Sequence, residues 1–62
     1  MTMQLQAILE LLNLSKAEAE KGTESLDTLV KWTNEYIERN GLDWVKQNAA
    51  SLRESWLYIQ TM

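Results

Sequence analysis

Residues 43–60 read DWVKQNAASLRESWLYIQ, and their spacing decides the fold. Val45, Ala49, Leu52, Trp56 and Ile59 follow one another at intervals of 4, 3, 4 and 3 residues. That is the repeat of an α-helix burying one seam; a strand would alternate with a period of two. The seam lasts about two heptads, less than a free-standing coiled coil needs, so it predicts packing inside a helical bundle. Asp43 is the expected N-cap, because its carboxylate can accept from amides of the first turn.

Upstream, Asn40-Gly41 marks a helix end, since both residues reach the left-handed conformation used there. Leu26, Leu29, Val30, Thr33, Tyr36 and Ile37 form one apolar stripe before it. Thr23 or Ser25 caps that helix, and Asp27–Lys31 and Glu35–Arg39 are i,i+4 pairs with the acid first. Gly22 is read as another left-handed stop.

Residues 3–14 read MQLQAILELLNL. On a helical wheel Leu5, Ile8, Leu9 and Leu12 share one face, and Met3, Ala7, Leu11 and Leu14 an adjacent one. The apolar stripe is roughly twice the width that a bundle helix needs. Ser15-Lys16-Ala17-Glu18 matches the capping box, which leaves open whether the helix runs on or restarts there. The expectation is three helices, near residues 3–21, 24–40 and 43–60, in a single domain spanning 1–62. The fold class is all-α: a small antiparallel three-helix bundle, with pairing into a dimer as the way to cover the wide face of the first helix. Leu5, Ile8, Leu12, Leu26, Leu29, Val30, Ile37, Val45, Leu52, Trp56 and Ile59 are the expected core.

Composition supports this. The chain has 62 residues, no Pro, two Gly, and abundant Ala, Leu, Glu, Lys and Gln, which favour helices. Its 45% hydrophobic content exceeds that of disordered chains. A chain this short is marginal alone and commonly needs a disulfide, a metal or a second subunit. Cys and His are both absent, which excludes disulfides and ordinary zinc sites. No cofactor is expected.

The net charge is −3, and no segment is basic. Nucleic-acid binding needs cations to displace counterions from phosphates, so it is the least supported function. Gly41 between two helices is compatible with a helix-turn-helix. The second helix, however, carries Asp43, Lys46, Arg53 and Glu54, which cancel. The apolar start lacks the basic region of a signal peptide and is too short to span a bilayer. A cytoplasmic protein with no membrane association is expected.

Catalysis finds no candidates, because the acidic residues fall on solvent-facing positions and no phosphate-binding loop exists. The aromatic set is more informative: three Trp and two Tyr, but no Phe. Trp and Tyr are enriched at interface hot spots. Trp56 and Tyr36 lie on core stripes. Trp44 and Tyr58 lie off the seam of the third helix, and Trp32 at the edge of the second stripe. Trp32 and Trp44 can equally well wrap the rim of a small core with their indole N–H in water. With Leu11, Leu14 and Leu57, these residues form the candidate partner or dimer contact: Leu11, Leu14, Trp32, Trp44, Leu57 and Tyr58. A regulator or adaptor that binds another protein is the first expectation, and a structural oligomerisation unit the alternative.

One stretch resembles a known family. Leu26-Asp27-Thr28-Leu29, then Trp32, Glu35-Tyr36-Ile37, Arg39, Trp44-Val45 and Asn48 is similar to the late helices of the Bcl-type apoptosis regulators. These carry a Trp, an acid-aromatic-aliphatic step and a Trp-Ile-Gln-Asp/Glu-Asn-Gly-Gly-Trp run. The likeness covers about a third of the chain. Ala49-Ala50 stands where the family has its glycine pair, Ser51 where it has the next Trp, and the family's Asn-Trp-Gly-Arg motif is absent. The family fold is more than twice as long. The resemblance implies a groove-and-ligand interaction with other apoptosis regulators.

Overall fold

The computed structural model describes residues 2–61, which form five helices. These are α1 (Leu5–Leu12), α2 (Lys16–Ala19), α3 (Leu26–Asn40), α4 (Leu42–Gln47) and α5 (Ala49–Gln60). The all-helical expectation holds. The count of three does not, because the first and third expected helices are each interrupted.

The first interruption has two local causes. Asn13 adopts φ 55° and ψ 45°. The Leu14 amide donates to Leu9 O at 2.9 Å and the Asn13 amide to Glu10 O at 3.2 Å. This is a Schellman termination with Asn in the left-handed position, and its usual apolar contact is supplied by buried Leu9 and Leu14. The capping box then restarts the chain: Ser15 Oγ accepts from the Glu18 amide, and Glu18 Oε1 accepts from the Ser15 amide, both at 3.1 Å. Only one turn, α2, follows.

The second interruption is slighter. Asn48, at φ −108° and ψ 15°, donates from its side-chain amide to Trp44 O at 2.8 Å. A side chain that competes for the i−4 carbonyl bends a helix. The expected third helix is therefore divided at Asn48 into α4 and α5.

Caps and ion pairs differ in part from expectation. Ser25 caps α3 by accepting from the Thr28 amide at 3.3 Å. Asp43 lies within the first turn of α4 and is not the cap; that position is Gly41. Gly41 has φ 90° and ψ 157°, a region that is essentially glycine's alone. Gly22 is not left-handed. It is required for another reason: a Cβ there would overlap the backbone carbonyl of Gln60. Asp27–Lys31 and Glu35–Arg39 do not close; among the described residues the ion pairs are those of Arg53 with Glu18 and Glu54.

α3 packs on α1 and α4, and α5 packs on α1, α2 and α4. Between them lie buried Ile8, Leu9, Leu12, Leu14, Ala19, Leu29, Ile37, Val45, Leu52 and Trp56. Leu5, Leu26, Val30 and Ile59, expected in the core, are only partly buried around it. The break at Asn13 narrows the wide apolar face of the first helix: it turns Leu14 inward beside Leu9 and Leu12, while Leu5 and Leu11 stay partly buried. The surface of 4190 Å² and the radius of gyration of 10.5 Å compare with about 4,100 Å² and about 10.6 Å for a folded monomer of this size. Among the described residues no helix is long and apolar enough to cross a membrane.

Two carboxamides fasten irregular backbone to this core. Asn34 Oδ1 accepts from the Met3 amide at 2.8 Å, and its Nδ2 donates to Met3 O at 3.1 Å. Gln60 does the same for Glu24: Oε1 accepts from the amide at 2.8 Å and Nε2 donates to the carbonyl at 3.3 Å. Gln60 Nε2 also donates to Ala19 O at 2.6 Å, which the Trp56 indole N–H reaches at 3.0 Å. Gln60 is accordingly buried, a polar residue one turn beyond Trp56 on the same side of α5.

Candidate functional site

Trp32 and Tyr36 are one helical turn apart on α3, so their side chains emerge on one face. Their rings meet edge to face, with centroids 5.2 Å apart and planes at 80°. The tight turn at Gly41 brings α4 back beside α3, and Trp44 stacks on Tyr36 at 5.8 Å with planes only 10° apart. On the other side Trp32 tilts against buried Trp56 at 5.5 Å. Four aromatic rings thus run in series from the core, at Trp56, to solvent, at Trp44.

This array borders an open groove between α3 and α5, lined by Trp32, Tyr36, Glu54, Ser55, Leu57, Tyr58, Ile59 and Thr61. The groove exists because α3 and α5 approach each other through the bulk of Trp32 and Trp56, and not as a closely packed helix pair. Tyr58 is the most exposed large apolar side chain described, at 67%, followed by Trp44 at 37%.

The charged neighbourhood is centred on Arg53. Its guanidinium lies 3.3 Å from Glu54 and 3.7 Å from Glu18, and its Nε donates to Asn13 O at 3.3 Å. The Glu18 carboxyl is held below its ordinary value, first by its hydrogen bonds with Ser15 and then by the charge of Arg53. Among the described residues no cluster of acidic, Cys or His side chains is arranged to hold a metal. What the groove offers is aromatic faces, hydroxyls and one carboxylate, which suits recognition.

The six candidate contact residues fall into three groups. Trp32, Leu57 and Tyr58 line the groove together, and Trp44 joins them through Tyr36. Leu11 is partly buried on α1, packed against the core and outside the groove lining. Leu14 is buried at 6% exposure in the chain's own core. It has no face to offer a partner, because the Schellman turn folds it inward.

Tyr36, assigned from its stripe to the core, is instead half-buried at the centre of the array. Its i,i+4 spacing from Trp32 was the signal. The groove residues Glu54, Ser55 and Thr61 gave no signal, since small and charged residues on a helix's outer side are ordinary.

The chain matches no family model, no curated protein and no solved structure. The likeness of residues 26–48 to the Bcl-type regulators therefore rests on the quoted residues alone.

Proposed function

We propose that this chain is a small helical protein-binding module, a cytoplasmic regulator or adaptor that acts by contact and not by catalysis. The observation that carries this is the exposure of Tyr58 beside the groove walls of Trp32 and Tyr36. Large aromatic side chains clustered around a concave surface are the usual anchors of a protein interface. The groove is open and shallow, and a substrate pocket would enclose most of its ligand.

The test compares wild type with a Trp44→Ala/Tyr58→Ala variant that retains the wild-type helical signal. Each is immobilised and exposed to extract from the native source, and captured proteins are quantified by mass spectrometry. A protein enriched on wild type and lost from the variant is the expected result. Equal recovery on both would refute a binding role for the aromatic surface.

A second reading is self-association into a dimer through the part of Leu11 that the chain's own core leaves uncovered. Sedimentation across micromolar to millimolar concentration, with Leu11→Glu beside wild type, decides it. A mass that stays monomeric in both eliminates the dimer.

A further inference from the structure

We propose that the groove between α3 and α5 receives an arginine-bearing basic segment of a partner protein, an inference that rests on the docking role above. Tyr58 is 67% exposed and its ring belongs to none of the aromatic pairs among the described residues, so its face is open to a guanidinium, which stacks there by cation–π attraction. Ser55 and Tyr58 supply hydroxyl oxygens at the same site, and these can accept from the guanidinium's fork of donors.

Charge selects the same occupant. Among the described residues Glu54 is the one acidic side chain in the lining, and no Lys or Arg lines the groove. Arg53 pairs with both Glu54 and Glu18, so its single positive charge offsets one of the two carboxylates and leaves the other. The three side chains together carry a net negative charge. With −3 on the whole chain, an acidic segment, a nucleic acid or a second copy would meet like charge. Arginine fits better than lysine because its planar group stacks and hydrogen-bonds at once.

The probe is a fluorescent synthetic peptide of Arg, Leu and Gly, with a counterpart carrying Glu in place of Arg. Binding is read by anisotropy at physiological ionic strength. The Arg peptide should bind and the Glu peptide should not. Glu54→Gln and Tyr58→Ala should each weaken binding about tenfold. Glu10→Gln, which removes the same charge from an exposed position on α1, should change it by less than about twofold, since exposed charges beyond a Debye length are screened. Equal weakening by Glu10→Gln and Glu54→Gln would overturn the proposal, because attraction would then be to the chain's overall charge. So would failure of the Arg peptide to bind at about millimolar concentration, the floor of useful recognition. Tighter binding of the Glu peptide would overturn the charge assignment while leaving the docking surface of Trp44 and Tyr58 standing on its own test.

Discussion

The two sides of α5 use their chemistry in opposite ways. One carries Arg53, Trp56 and Gln60, which donate to the backbone carbonyls of Asn13, Ala19 and Glu24. The segment from Asn13 to Ser25 holds only the single turn of α2, too short to be stable by itself, so its free backbone groups are satisfied by side chains. The other side carries Ser55 and Tyr58, which face the groove. Apart from the Thr61 hydroxyl that donates to Tyr58 O at 2.7 Å, little there closes on the chain itself. The lesson is that one helix can serve as strut and as display surface, with the division set by whether its side-chain donors meet backbone or water.

The most severe break of the strut side is Gly22→Ala. The added methyl must push the α2–α3 loop away from Gln60, combining overpacking with loss of the carboxamide clamp, for about 3 kcal/mol in urea unfolding. Gln60→Ala leaves the steric fit but strands the Glu24 amide and carbonyl, for about 2 kcal/mol. Two residues away, the same truncation at Tyr58 should change stability by less than about 0.5 kcal/mol. Equal losses at positions 58 and 60 would erase the distinction between the two sides.

A change in the opposite direction is expected inside the core. The Thr33 hydroxyl is fully buried and, among the described residues, has no hydrogen-bond partner. Thr33→Val keeps the branched shape and removes the unsatisfied oxygen, so it should raise stability by about 1 kcal/mol. A drop in melting temperature would show that the hydroxyl is in fact satisfied.

The smallest effect concerns acid. Because Glu18 has a lowered pKa when folded, its contribution is complete above the ordinary glutamate value and fades as pH falls through the lowered one. Stability of wild type should slope downward in that window, and Glu18→Gln should flatten the slope. An unchanged slope would mean that the Ser15 and Arg53 contacts of Glu18 persist equally in the unfolded chain.

The sequence made the strut side legible only in part. The capping box at Ser15 was visible because two polar side chains at a fixed spacing make it, and the seam from Val45 to Ile59 was visible because apolar periodicity is local. The Schellman turn at Asn13 was hidden, since an uninterrupted leucine-rich run argues for continuity until tertiary packing rewards Leu14 for turning inward. Gln60 was hidden for a related reason. Its partners are 36 and 41 residues away, and no pattern along one helix records them. On the display side the aromatic residues were legible by type, but only the tight turn at Gly41 shows that Trp44 lands on Tyr36.

The Gln60 clamp also bears on how this sequence can drift over generations. Gln60 grips the amide and carbonyl of residue 24 and makes no hydrogen bond with the glutamate side chain. Position 24 can therefore change its side chain without loosening the grip. Proline is the exception, because it has no amide hydrogen to give. Position 60 has no such freedom: its replacement must reach the same distance and both donate and accept. Across diverging copies of this chain, the residue doing the holding should stay constant while the residue held varies.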